Sequence, residues 1–122
     1  MVERLYKGEW ASKVTVTEGA QRWALNPRFD LRTQSFAGFA CGSGEANGAH
    51  QLALALLADA LQDDARAEQL HHDFCSRVVA IFPERWTISR SRIVAHATII
   101  EARQAGHGGY RARSFRRPTG ER

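Results

Sequence analysis

Two scarcities shape the first reading of this chain of 122 residues: it has few cysteines and no long hydrophobic run. Two cysteines, Cys41 and Cys75, are too few for the disulfide framework of a small secreted scaffold. The longest apolar-rich stretch, Leu52–Leu61, is too short to cross a bilayer. Met1–Trp10 mixes charged with apolar residues, lacks an apolar core and does not read as a signal peptide, so a cytoplasmic location with no membrane partner is expected. Lysine is also scarce, 2 against 15 arginines, a bias of coding composition rather than of mechanism.

What is present is an ordinary globular mixture, 43% hydrophobic and 25% charged, in a length that suits one core. The net charge of +4 is unevenly placed. Residues 103–122 hold six arginines and one acid, 6 − 1 = +5, and the other 102 residues hold eleven bases and twelve acids, 11 − 12 = −1. The body is therefore near neutral and the positive excess belongs to the C-terminal segment.

Along the chain, residues 3–8, 13–17 and 21–25 alternate briefly in the manner of strands, with Glu18-Gly19 as a turn and Asn26-Pro27 as an interruption. A glycine-punctuated loop over 35–48 leads into Gln51–Leu61, which is rich in the best helix formers and apolar on nearly every side. Asp63-Asp64 can cap a second helix whose stripe is Leu70, Phe74, Val78, Ile81 and Phe82, ended by Pro83. Trp86-Thr87-Ile88 reads either as an edge strand or as a plug for the core. Ser89 can cap a third helix facing inward with Ile93, Ala97 and Ile100, with Val94 as a further candidate for that face, halted by Gly106, Gly108 and Gly109. The expected architecture is α+β: two or three antiparallel N-terminal strands on three helices over 1–105, then a flexible Gly/Arg-rich basic tail over 106–122.

Within this pattern Gly38-Phe39, Gly42-x-Gly44, the block Gln51–Leu57 followed by Asp59, then Asp64, Ala67, Leu70, Phe74, Val78, Trp86–Ser89 and Ile93 resemble an uncharacterised bacterial family, the domain of unknown function 6166. The resemblance spans roughly residues 4–95 and is most specific at Gln51–Asp59. It implies bacterial, phage or plasmid-linked settings and brings no activity or catalytic residue with it.

Several constellations invite chemistry and fall short of it. Gly42–Gly48 before a helix suggests phosphate binding, yet it lacks the Gly-Lys-Ser/Thr ending of a P-loop and the G-x-G-x-x-G spacing, and Glu45 would repel an anion. His71 and His72 stand four and three residues before Cys75, but zinc needs completion by His50, His96 or Cys41, and no paired motif supplies it. Cys41 or Ser43 with His50 lacks a third group and a nucleophile elbow. Asp59, Asp63 and Asp64 show no acid–base partnership. No catalytic residue, metal or cofactor is assigned, and a non-enzymatic protein is expected.

Binding remains, in two forms. A protein partner would meet the surplus aromatics Trp10, Trp23, Phe36, Phe39 and Trp86, or a free sheet edge, which also suits homo-oligomers. Its most specific version is an accessory protein of a mobile element that inhibits a host nucleic-acid-handling complex. The alternative is sequence-independent DNA or RNA binding through Arg85, Arg90, Arg92, Arg103, Arg111, Arg113, Arg116 and Arg117, since guanidinium forks suit phosphates and arginine at a helix start calls for an answering anion.

Overall fold

A computed structural model describes residues 2–9, 14–32, 39 and 46–111, with the side chains of 46, 47 and 107–111 outside the description. Three strands come first: β1 (Arg4–Glu9), β2 (Thr15–Glu18) and β3 (Gln21–Ala24). Helices α1 (Ala46–Leu61) and α2 (Asp64–Arg77) follow, then a 3-10 turn (Val79–Ile81), β4 (Arg85–Ser89) and α3 (Arg90–Arg111). The architecture is α+β as expected, but the sheet has four antiparallel strands in the order β3-β2-β1-β4. The fourth comes from Trp86-Thr87-Ile88, which turns out to be both edge strand and core: it pairs with β1, Tyr6 opposite Ile88 and Gly8 opposite Trp86, while Trp86 and Ile88 are buried.

Alternation sorts the sheet into two faces. Tyr6, Val16, Trp86 and Ile88 point to the helices and are buried, whereas Lys7, Arg22, Arg85 and Thr87 point away and are exposed. Gly19 begins the two-residue β2–β3 turn with φ +62°, a conformation that glycine adopts without steric cost. Gly8 has a different task. A Cβ placed there would lie 2.5 Å from the Trp86 ring, so the absent side chain is what lets the indole lie across β1.

Helix α1 is the centre. Every residue from Gln51 to Ala58 is buried, and so is Ala60. One continuous apolar cluster joins α1 to the inner sheet face, to Ala67, Leu70 and Phe74 of α2, and to Ile93, Ala97 and Ile100 of α3. The polar groups of this helix are answered individually. Gln51, fully buried, donates from Nε2 to the carbonyls of Pro27 at 2.6 Å and Arg32 at 3.0 Å, which ties the 25–32 loop to α1. Asp59 accepts from the buried Tyr6 hydroxyl and, at 3.0 Å, from Arg4. Burial, reinforced by the Asp59 carboxylate, pushes the Tyr6 phenol well above its usual range, so it stays a donor. Arg4 also reaches Glu18 at 3.2 Å and lies 5.1 Å from the centre of the Trp23 ring.

The helix ends follow local rules. Gln62 closes α1 in a left-handed conformation, φ +54°, and donates through its backbone to Ala58 and through its side chain to the Asp59 carbonyl. Asp63 caps α2 by accepting from the Arg66 N–H at 3.1 Å. Two expectations need correction. The stripe of α2 does not extend to Ile81: the α-helix stops at Arg77, and the tighter turn after it rotates the phase, burying Val79 and leaving Ile81 78% exposed. Nor do the glycines halt α3 at Gly106, since the helix runs to Arg111; each interior glycine costs about 1 kcal/mol, a tax rather than a stop. The flexible tail expected from 106 onward otherwise lies, from 112, outside the described residues.

Gly8→Ala should destabilise the fold by about 1–3 kcal/mol, because the new methyl and the Trp86 ring cannot share the space. Urea denaturation checks this, and combining the change with Trp86→Leu should recover part of the loss that the two single changes would predict by addition.

Candidate binding groove beside strand β4

Phe82 follows the 3-10 turn with an extended backbone and stacks on Trp86, ring centres 4.6 Å apart and planes 22° from parallel. That stack pins the turn against the sheet, and α3 begins directly after β4 with no intervening loop. Ser89 caps α3 by accepting from the Arg92 N–H at 3.2 Å, and Glu3 accepts from the Ser91 N–H at 2.9 Å. Between the end of α2, the turn, β4 and the first turns of α3 lies a groove of about 450 Å³.

Val78, Phe82 and Ile88 supply its apolar part, and Ile81 stands exposed beside them. Arg77, Arg92 and His96 bring cationic or protonatable groups to the same cavity, and the described residues lining it include no carboxylate. Thr87 and Ser89 contribute the strand itself. Arg92, His96, Ile99 and Arg103 fall at i, i+4, i+7 and i+11, so the flank of α3 that enters the groove carries on along the helix; Ile99 is 53% exposed.

Of the arginines singled out from sequence, Arg92 enters this groove. Arg85 is on β4, 82% exposed and 3.6 Å from Glu9. Arg90 is engaged elsewhere: its Nε donates to the Ala60 carbonyl at 2.8 Å, satisfying a carbonyl at the end of α1. Glu3 meets the start of α3 through the Ser91 N–H, a carboxylate placed where a helix N-terminus favours negative charge. Arg103 is on α3; the Arg111 side chain and residues Arg113, Arg116 and Arg117 lie outside the description.

The aromatic candidates separate in the same way. Trp86 is 6% exposed and belongs to the core, because even positions of β4 face the helices. Trp23, 36% exposed, sits on the opposite edge strand beneath Arg4. Phe39 is half-buried against the core, and Trp10 and Phe36 lie outside the described residues. Sequence reasoning missed Arg77, Ile81 and His96 as a group. The only available signal was Pro83, which marks where α2 has to have ended.

The histidines form a second cluster between α1 and α2. His50 stacks on His72, ring centres 5.2 Å apart, and meets His71 edge-on at 6.2 Å. His71 is buried, its Nδ1 2.8 Å from the Glu68 carbonyl, and Cys75 is buried nearby on α2. Among the described residues no group of three His, Cys, Asp or Glu side chains is placed to hold a metal; Cys41 and Ser43 lie outside them. Burial first, and then the neighbouring His72 and His71, hold His50 below the ordinary imidazole value.

For a base whose pKa is lower folded than unfolded, the unfolded chain takes up the proton first. Stability is therefore fully present above the unfolded value of about 6.5 and declines as pH falls through it. Denaturant titrations between roughly pH 7.5 and 5.5 should show that decline, and His50→Gln should flatten it; an unchanged slope in the variant would contradict the assignment.

Comparison of the chain with curated proteins and with solved structures finds no match. The sequence profile of one family does match, over residues 6–99, a span that takes in β2, β3, β4, α1 and α2 whole, β1 and α3 in part, and the groove. The chain belongs to DUF6166, a family of unknown function.

Proposed function

We propose that this protein is a non-enzymatic binding module whose partner is another protein, seated in the groove beside β4. The observation that carries the reading is the conjunction of an exposed Ile81, an apolar recess and an outer strand of the sheet at one place. Large apolar side chains anchor protein interfaces when they sit in or beside a recess that excludes water, and an outer strand adds backbone groups able to bond. Elsewhere on the body the charges are largely matched: Arg4, Arg28, Arg32, Arg66 and Arg85 each face an acid within 4 Å. A regulatory or accessory role follows from this mode of action; inhibition of a nucleic-acid-handling complex is its most specific form and rests on the size of the chain and the setting implied by the family.

One observation favours a second reading, direct DNA or RNA binding. Arg92 and Arg103 share a flank of α3, and that helix continues to Arg111, toward the arginine-rich residues.

Affinity capture from native lysate, with and without nuclease, separates the two. The groove reading expects a protein partner retained after nuclease and after truncation beyond Ala105, and lost at least about tenfold with Ile81→Asp. That side chain is exposed, so the variant should keep its circular dichroism and midpoint of unfolding. Capture that disappears with nuclease, with added salt or with the truncation, and is indifferent to Ile81→Asp, would overturn it in favour of phosphate binding.

A further inference from the structure

Val78, Phe82 and Ile88 give the groove beside β4 an apolar wall, and Arg77 and Arg92 give it a cationic one. Among the described residues neither of these two arginines has an acid within 4 Å, whereas Arg4, Arg28, Arg32, Arg66 and Arg85 each do. Arg77 belongs to the last turn of α2, a place that suits a cation. Arg92 stands in the first turn of α3, where the helix end disfavours one and no acidic residue of that turn offsets it. We infer that the occupant is the C-terminal end of another protein's chain, its apolar last side chain in the recess and its free α-carboxylate met by Arg77 and Arg92; the inference rests on the groove being the partner site.

Whatever fills the recess has to bring an apolar group and an anion to it together. Both walls line one cavity of about 450 Å³, the size of a small-ligand site, whereas a whole helix is about 10–12 Å across. Where the two groups come from separate residues of a passing chain, their side chains start well apart. Two on one face of a strand are separated by about 6.6 Å, and neighbours on a helix face by about 5–6 Å between Cβ atoms. At a chain end the carboxylate and the last side chain spring from a single Cα, so one residue supplies both. Guanidinium forks match a carboxylate through paired N–H donors, and an incoming cation meets repulsion. The exposed Ile81 lines the same cavity and offers apolar contact to the residues that lead into it.

The same walls argue against the other occupants. Residues 103–122 of this chain, or of a second copy, carry the +5 excess and would bring arginine to arginine. A nucleic-acid phosphate would answer the two arginines and leave Val78, Phe82 and Ile88 uncovered. The cavity is also a poor platform for bases, because Trp86 is buried and Phe82 is already stacked upon it.

The test uses the isotopically labelled full chain and backbone amide shifts, which read weak binding. Its probes are glycine–serine hexapeptides, acetylated at the start and ending in leucine, valine or phenylalanine with a free carboxylate. The controls are the best of these with an amidated end, a free-ended peptide closing in lysine, and an amidated peptide with leucine and glutamate in its middle. Octanoate and a thymidine oligonucleotide complete the set. At least one apolar free-ended peptide should shift the amides of Val78, Ile88, Ser89 and Arg92. Amidation, the lysine end, Arg77→Gln and Arg92→Gln should each weaken it at least about tenfold. Both arginines are exposed, so the variants should keep the midpoint of unfolding. Equal binding by the amidated peptide or by the internal leucine–glutamate peptide would overturn the inference, as would failure of all three free-ended peptides. So would tighter binding of octanoate at the same amides, the mark of a lipid-like carboxylate, or an oligonucleotide that shifts them where the peptides do not. If the peptides fail while Ile81→Asp still abolishes capture of the native partner, the chain end is the wrong occupant and the groove reading stands. If both fail, the groove itself is the wrong surface.

Discussion

A helix that can show no side to water governs this molecule. From Gln51 to Ala58, and again at Ala60, α1 is buried, so the remainder of a 122-residue chain has to enclose it. The inner sheet face, α2, α3 and the 25–32 loop do so, and each polar group carried into that enclosure has to meet a partner. A buried polar group left unsatisfied costs about 1–3 kcal/mol, which is why Gln51 and Asp59 act as registers as well as residues. Gln51 fixes the loop through two backbone carbonyls, and Asp59 fixes β1 through Tyr6 and Arg4.

The groove is a consequence of how that enclosure ends. Once α2 stops at Arg77, a 3-10 turn, Phe82 and Pro83 bring the chain back to the sheet, and the change of helical phase puts Ile81 on the outside. β4 then reaches the sheet last and takes its outer place beside β1. The direct passage from β4 into α3 sets Arg92 and His96 next to the same opening. Charge takes part in the same division of labour. Arg4, Arg66 and Arg28 bridge elements, with Arg66 holding Glu101 and Arg28 holding Asp30 below the usual carboxylate range, while Arg77 and Arg92 are brought to the cavity.

What could be read in advance was local. The apolar run of α1, the Asp63 and Ser89 caps and the inward face Ile93, Ala97 and Ile100 depend on neighbours within a few residues, and they stand where the sequence places them. What could not be read depends on distant partners. The pairing of Gly8 with Trp86 spans most of the chain, and without it Trp86 looks like a spare aromatic rather than the core residue it is. Nothing near Arg90 in the sequence reveals the Ala60 carbonyl that its Nε meets, thirty residues earlier in the chain. Gln51 and Asp59 were visible as polar residues inside an apolar run, but their roles need the loop and β1. The groove was half visible: Arg92 and the proline were there to see, whereas the exposure of Ile81 follows from one turn of tighter helix that periodicity continues straight through.

Because it is enclosed on every side, α1 should be the last element to open, and native-state hydrogen exchange on the full chain tests this most directly. The amides from Leu52 to Ala60 should exchange only through global unfolding, with a protection free energy equal to the stability measured by denaturant. Exchange of those amides through a local opening, at a lower free energy than the amides of α2, α3 or β1, would contradict it.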